Sequence, residues 1–585
     1  MTDPTTSEAD RTPPPHFENG FPENRSYEVR RDLPAPVPPG IRRCLVVVIL
    51  AVMATQMLLA AAGDAPTYDE PFHFGAAVEK IRGSLQWGAD HPPFAHLVAG
   101  LPLRFHDFAE PQHTDEQIHF DAYVRGRDYL YQRTGEANAS HLLWLARLPI
   151  IAATLLTTIV IYLFARDLFG DRGGLLALTM ASTNPSVLAH GRLVTTDMVL
   201  AGLVLASVWL IWRSIRSPSP MMLLGAGSLL WGLALGTKFS ALVMTPVAAI
   251  LVAWAAARRS AIESGNASGS RKSLRSVAVA LLMFGTVSLG GAWAVYLAVD
   301  PQITYEPRVT VAPSGITEQV AARLPLPAPF RDGLRLQIGW DEAGRAGLLF
   351  GERYLGGKPL FYPAMLAMKS PLAMLAAFVA GLWAWVRTRR SRMEPAMLLL
   401  VPVSFFLFAM TTQTNLGIRH ILPLPLLMSV IAGGMALSRR GAWPLAAAGL
   451  AVWALIAAVL SFPSHIAYVN EAFGGSDNAY RLVTGSNVDW GQDLIRLREH
   501  LETEEVAGPV WLAYFGQAPV EEYDLPVMIA DPEKLREIRG TLAISVSIVN
   551  QLNGPYDPLL DGREPFAQIG HSILLYRIQE HLSSG

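Results

Sequence analysis

Between roughly residues 44 and 462 the chain alternates long apolar runs with short polar interruptions. The runs fall at about 44–63, 148–165, 173–189, 197–212, 221–236, 239–257, 276–298, 370–386, 395–411, 420–437 and 442–462. Crossing about 30 Å of hydrocarbon takes about 20 apolar residues in a helix. The pattern therefore predicts about eleven transmembrane helices, several of them short. After residue 462 the pattern changes. In "DWGQDLIRLREHLE", Leu494, Leu497 and Leu501 form one helical stripe, and "VWLAYF", "LAISVSIVN" and "SILLYRI" read as strands. The fold class expected is a polytopic α-helical membrane protein with a small C-terminal α/β domain.

The polar interruptions orient the spans. The first forty residues are rich in proline and polar side chains and predict a disordered tail. They do not resemble a cleavable signal peptide, because the first apolar run follows Arg42 and Arg43 and remains as an anchor. Short cytoplasmic loops are enriched in lysine and arginine. Threading from a cytoplasmic N-terminus puts Arg166/Arg172, Arg213/Arg216, the 258–275 cluster, Arg387/Arg389/Arg390/Arg392 and Arg439/Arg440 on one side. The domains are then a tail (1–40), a membrane domain (41–462) with outer loops 64–147 and 299–369, and an extracytoplasmic C-terminal domain (463–585). The chain is expected in the inner (plasma) membrane, with its soluble mass outside.

Composition agrees with this class: 51% of residues are hydrophobic and 16% charged, and the mean hydropathy is +0.28. A net charge of −2 gives no reason to expect nucleic acid. The single cysteine, Cys44, excludes an intrachain disulfide and a thiolate zinc cluster.

Against that background certain polar residues stand out. Asp69, Glu70, His91, Arg147, Asp197, Lys238, Lys369, Arg419 and His420 all fall at outer ends of spans or in outer loops. Any one cation there can simply snorkel to the interface. Five cations and several acids on one rim suit a substrate with an anionic head and a long lipid tail. After "YDEP", Phe74, Val78, Ile81 and Leu85 recur at helical spacing, so the segment is expected to lie flat as an amphipathic helix. Asp69 then reads either as its N-cap or as a reacting acid, and Asp197, after two threonines, as a second cap or a second acid. His91, in "ADHPPFAHL", can be a ligand, a hydrogen-bonding neighbour or an interfacial side chain. No clustered ligand set argues for a metal.

The set "YDEPFH", "HPPF", "ARLPI", "AHGRLVTTDM", "GLALGTKFSAL", "YPAMLAMKSPLAML", "NLGIRHILPLPLL" and "SNVDWGQDLIRLREHL" resembles bacterial glycosyltransferase family 39 over about residues 45–500. That family has the GT-C fold, depends on lipid carriers, and is related to protein O-mannosyltransferases and aminoarabinose transferases. The resemblance implies transfer of a sugar, mannose being one candidate, from a polyprenyl phosphate to an acceptor hydroxyl on the extracytoplasmic face, with inversion. By similarity Asp69 would be the general base, Glu70 would orient it or the acceptor, and Asp197 would match the second acidic position. Arg147 would match the family's arginine for the donor phosphate, joined on the rim by Arg419, Lys238, Lys369, His91 and His420. No cofactor and no catalytic metal are expected. The partners implied are the lipid-linked sugar, membrane lipids and a protein, glycan or lipid acceptor.

Trp490 and Asp493 are candidates for sugar contact, though such residues at a helix start are more often structural. No GxGxxG or P-loop pattern supports a nucleotide-sugar donor. The competing class is a transporter or flippase of lipid-linked sugar acting without chemistry. Such proteins usually carry internal repeats and mid-membrane charges, and neither is visible in the sequence.

Overall fold

A computed structural model describes residues 36–111, 118–131, 138–264, 271–307, 315–388, 393–438, 441–504, 506 and 508–578. The expected N-terminal tail up to residue 35, and Arg389, Arg390, Arg392, Arg439 and Arg440, lie outside the described residues.

Besides single turns, the helices among the described residues are, in chain order, α1 (Pro39–Gly63), α2 (Glu70–Ile81), α3 (Phe94–Gly100), α4 (Ile118–Tyr131), α5 (Ala139–Ser182), α6 (Pro185–His190), α7 (Asp197–Ser214), α8 (Pro220–Leu235), α9 (Ser240–Ser264), α10 (Arg271–Val299), α11 (Ile316–Ala322), α12 (Ala328–Ala343), α13 (Phe361–Lys369), α14 (Leu372–Thr388), α15 (Met393–Ala409), α16 (Pro423–Ala432), α17 (Trp443–Leu460) and α18 (Leu494–Thr503). Each expected apolar run is helical. Among the described residues six helices are long and apolar enough to cross a membrane, or seven if α13 and α14, bent by 102°, form one broken span; α8, α15 and the segment from Pro423 to Leu437 are apolar but shorter. The two runs expected within α5 are separated by a kink at Gly170, whose φ of +81° is open to glycine and strained for other residues. Large apolar side chains such as Leu282 and Leu445 stand exposed on these helices, as contact with lipid tails requires.

Charged side chains sort to the two ends of the bundle. At one end Asp171 pairs with Arg42 and Arg166, each at 3.0 Å, Asp167 lies 3.5 Å from Arg213, and Glu394 lies 3.1 Å from Arg216. This is the end that the arginine pattern puts in the cytoplasm. The C-terminal end of α1, the N-terminal ends of α5, α7 and α16, and the end of α8 meet at the other.

There α2 departs from the expected flat amphipathic helix. All its residues from Glu70 to Lys80 are buried, because α3 and α4 cover the face that the sequence left to water. A Cβ on Gly75 would come within 2.6 Å of Gly126 Cα, so glycines let α2 and α4 cross in backbone contact. The polar residues so enclosed have partners: Glu79 accepts from Arg125 and from the Tyr129 hydroxyl at 2.7 Å each, and the Lys80 ammonium donates to the Trp87 carbonyl at 2.5 Å. Leu85 is buried but lies beyond the helix end.

The C-terminal segment folds around a five-stranded sheet. Its strands are β3 (Val510–Ala513), β4 (Met528–Ile529), β5 (Gly540–Ser545), β6 (Ala567–Ile569) and β7 (Ile573–Ile578), after a hairpin β1 (Ala346–Leu349) and β2 (Glu352–Leu355) between α12 and α13. The order is β4-β3-β5-β7-β6, with β3 parallel to β4 and β5, and β7 antiparallel to β5 and β6. Leu494 and Leu497 of α18 are buried against this sheet, with Leu501 packed at the edge of the same cluster. The three expected strands correspond to β3, β5 and β7, except that the second half of "LAISVSIVN" leaves the sheet as a helical turn over Val546–Val549.

Candidate active site

Asp69, the residue before α2, has helical backbone angles and its side chain makes no capping bond. The N-cap reading of Asp69 therefore fails. The carboxylate reaches sideways: Oδ2 accepts from Arg419 Nη1 at 2.8 Å and Oδ1 from the Tyr123 hydroxyl at 3.3 Å. It keeps 18% of its side-chain surface exposed.

Arg419 sits between α15 and α16 and links two acids, because its Nη1 also lies 3.6 Å from Asp197 Oδ2. Asp197 opens α7 and does not cap it; its Oδ1 accepts from Lys238 Nζ at 2.5 Å. Asp69, Arg419, Asp197 and Lys238 thus form one continuous ion chain drawn from four separate elements. The Arg419 guanidinium lies 4.3 Å from the Trp490 ring centroid, and its buried Nε has no hydrogen-bond partner. His420 is half-buried within electrostatic reach of Lys238, Arg419 and Asp197.

Glu70 and Arg147 occupy a different place from the one the resemblance implied. Glu70 is fully buried and accepts from Arg147 Nε (2.9 Å) and Nη2 (2.6 Å), from the Thr67 amide (2.9 Å) and hydroxyl (3.1 Å), and from the Val194 amide (2.9 Å). Arg147 directs its remaining donors to the carbonyls of Ala61, Asp64 and Ala65. Every nitrogen of the guanidinium is engaged by the protein, which leaves no free fork for a phosphate. The pair ties the ends of α1 and α5 to the turn that carries Asp69.

Lys369 stands at the corner between α13 and α14. It donates to the carbonyls of Ile466 and Asn487 at 2.7 Å each, which binds this corner to the segment leading into the C-terminal domain. It is buried and takes no part in the ion chain.

His91 belongs to a histidine cluster beside the chain. Its ring lies 5.1 Å from that of His73, and its Nδ1 is 3.3 Å from Asp90 Oδ2 but off the line of a hydrogen bond. His73 Nδ1 and His96 Nε2 share a hydrogen bond at 2.9 Å. Burial, and then the neighbouring histidines, hold His73 and His96 well below the usual imidazole range, so both are neutral at pH 7. Among the described residues no three such side chains converge in a way that could hold a metal ion.

The residue reading missed a second buried network. Asp64, at the end of α1, accepts from Arg192 Nε (2.9 Å) and Arg496 Nη2 (2.8 Å). Arg496 also pairs with Asp493, whose Oδ2 accepts from the Ser572 hydroxyl at 2.6 Å. Asp493 is therefore engaged within the protein. The signal for Asp64 was an acid directly after an apolar run, and for Arg192 a cation inside "AHGRLVTTDM". Tyr123 had no such signal, because its helix is short and polar.

Residues 138–289 match the family model described as dolichyl-phosphate-mannose-protein mannosyltransferase. "ARLPI", "AHGRLVTTDM" and "GLALGTKFSAL" fall inside the matched range, and over that range the family resemblance read from the motifs is met. No curated protein matches the chain. Solved structures that resemble it include ArnT from Cupriavidus metallidurans bound to undecaprenyl phosphate, at 13% identity over 92% of this chain and 99% of that one, with a TM-score of 0.49. The Pmt1-Pmt2 protein O-mannosyltransferase complex of S. cerevisiae bound to the sugar donor matches at 21% identity over 47% and 35%, with a TM-score of 0.35. The oligosaccharyltransferase AglB from Archaeoglobus fulgidus, in complex with an inhibitory peptide and a dolichol-phosphate, matches at 11% identity over 92% and 74%, with a TM-score of 0.42.

Proposed function

We propose that this chain is a GT-C glycosyltransferase that moves a sugar, mannose being one candidate, from a polyprenyl-phosphate donor to an acceptor hydroxyl on the extracytoplasmic face. The observation that carries the reading is the ion chain Asp69–Arg419–Asp197–Lys238, which ends in a partly exposed carboxylate. It lies at the end of the bundle opposite the arginine-rich end. The family match over residues 138–289 supports the same class.

In this reading the acceptor oxygen attacks the anomeric carbon as the bond from that carbon to the phosphate oxygen breaks. The phosphate leaves with the bonding electrons, and the configuration inverts. A lipid-linked phosphate is a stable anion, so it needs positive charge and hydrogen-bond donors more than it needs an acid. Arg419, with its unpartnered Nε, and Lys238 supply these, and His420 stands beside them. The acceptor proton goes to Asp69, the general base in this reading, which its bond to Arg419 holds in place. Asp197 holds the two cations apart and in register. Glu70 and Arg147 act on the site through position: their buried pair fixes the Thr67–Asp69 turn against α1 and α5. His91 stands beside the chain in the histidine cluster, and Lys369 secures the outer domain.

The test is whether purified protein, given a polyprenyl-phosphate sugar and an acceptor, releases the carrier phosphate. A transporter would move the lipid and leave the bond intact.

A further inference from the structure

Trp490, in the C-terminal segment, meets the ion chain at Arg419. Trp490 lies in the segment between α17 and α18, is 3% exposed, and offers its ring face to the Arg419 guanidinium at 4.3 Å. Its own backbone is held from both sides. The Trp490 carbonyl accepts from the Tyr68 amide at 2.6 Å, directly before Asp69, and its amide donates to Gln492 Oε1 at 2.8 Å. Asp489 fastens the same turn to the domain, accepting from the amides of Ser547 (2.8 Å) and Gly491 (3.1 Å). Gly491 has a φ of +87°, and a Cβ there would stand 2.7 Å from the Phe515 carbonyl, so only glycine fits the turn. Phe515 then stacks on Tyr68 at 4.9 Å.

Arg419 itself is held in an arrangement that its charges alone would not select. One nitrogen, Nη1, serves both Asp69 and Asp197, while Nε is buried without a partner. A buried unsatisfied donor is costly. A guanidinium beside two carboxylates would otherwise turn to make a two-pronged contact with one of them. The indole face, 4.3 Å from the guanidinium, stands where it would oppose that turn, and a cation held over tryptophan in a desolvated setting is the strongest form of this contact.

We propose that Trp490 is a positioning residue for the transfer reaction: it keeps Arg419 in the arrangement in which Nη1 serves both acids and Nε stays unpaired for an anionic oxygen of the donor, so the C-terminal domain completes the catalytic centre. The inference rests on the transferase reading above. It assigns to the domain a part in the chemistry, beyond covering the membrane unit.

The test is a double-mutant cycle on the full chain in detergent, read as turnover of a polyprenyl-phosphate sugar and as binding of polyprenyl phosphate. Trp490→Leu lowers turnover about tenfold, the scale of a desolvated cation–aromatic contact. Once Arg419→Lys is present, Trp490→Leu causes no further loss beyond about twofold, because its effect runs through the arginine. Independent, multiplying losses overturn the proposal, since a merely structural tryptophan would give them. If Trp490→Leu does not fold, Trp490→Tyr and Trp490→Phe carry the test. Turnover falls in the order Trp, Tyr, Phe, and equal turnover in all three overturns the proposal. If Arg419→Lys alone matches wild type in turnover and in phosphate binding, the donor reading itself falls, and this inference with it.

Discussion

Arg419 Nη1 stands 2.8 Å from Asp69 Oδ2, joining residues 350 positions apart in the chain. The contact brings the turn after the first span to the start of a helix near the end of the membrane domain. In the proposed reaction this places the acid that takes the proton beside the cation that meets the phosphate, with Tyr123 holding the other carboxylate oxygen.

The buried pair of Glu70 and Arg147 carries the first prediction. Removing one partner of a buried ion pair leaves an uncompensated charge and costs about 3 to 5 kcal/mol. Arg147→Ala is therefore expected to lower the thermal unfolding midpoint and the yield of folded protein in detergent. A variant that unfolds like wild type and loses only donor binding would return Arg147 to the phosphate.

On the donor side, Arg419→Ala and Lys238→Ala are expected to weaken binding of polyprenyl phosphate more than Arg258→Ala does. A hydrogen bond to a charged group is worth about 1.5 to 3 kcal/mol, which is roughly a 10- to 150-fold change in affinity. Titration of each purified variant with the lipid phosphate measures this. Equal effects at all three positions would mean that the arginine and lysine of the ion chain do not meet the phosphate.

The contrast between these two predictions marks what was legible in the sequence. Apolar helices and the strands of the C-terminal segment follow from periodicity, and the structure contains them, though six or seven helices qualify as spans among the described residues where about eleven are expected; of the polar residues singled out, Asp69, Arg419, Asp197 and Lys238 are joined, while Arg147 and Lys369 are bonded elsewhere. What the linear pattern did not hold is which charges pair. Arg147 and Arg419 look alike as cations at outer helix ends, yet one is fully bonded to carbonyls and Glu70, and the other keeps a free Nε. That difference depends on the fold of α1, α2 and α5 around one point. The same holds for α2, whose helical stripe was plain but whose polar face is covered by α4, a segment with no strong periodicity of its own. The expected caps at Asp69 and Asp197 failed for a related reason: each carboxylate is drawn to a distant cation in place of the nearby amides.

The histidine cluster makes stability depend on pH. His73 and His96 have pKa values lowered in the folded state, while in the unfolded chain they titrate near 6.5. Below about pH 6.5 the unfolded state binds protons that the folded state refuses, so stability falls as pH drops and is level above that range. Each group contributes at most about 1.4 kcal/mol per pH unit. Thermal unfolding in detergent between pH about 7.5 and about 5 is expected to show this fall, with a shallower slope in His96→Gln. An unchanged slope in the variant would assign the pH dependence to other groups.

Topology gives a prediction independent of chemistry. Labels introduced in the 258–275 loop are expected to react only from the cytoplasm, and labels beyond about residue 465 only from outside. Opposite accessibility would put the ion chain on the cytoplasmic face and remove the case for an extracytoplasmic lipid-linked donor.

The central claim is that Asp69 takes the acceptor proton, and its most direct measurement is the turnover of Asp69→Asn with a polyprenyl-phosphate sugar. Because the native side chain caps nothing and is partly exposed, asparagine is expected to fold and to bind polyprenyl phosphate. The account predicts a fall in turnover of about 10² to 10⁴, the usual contribution of a positioned general base. Transfer at the wild-type rate by folded Asp69→Asn would contradict it.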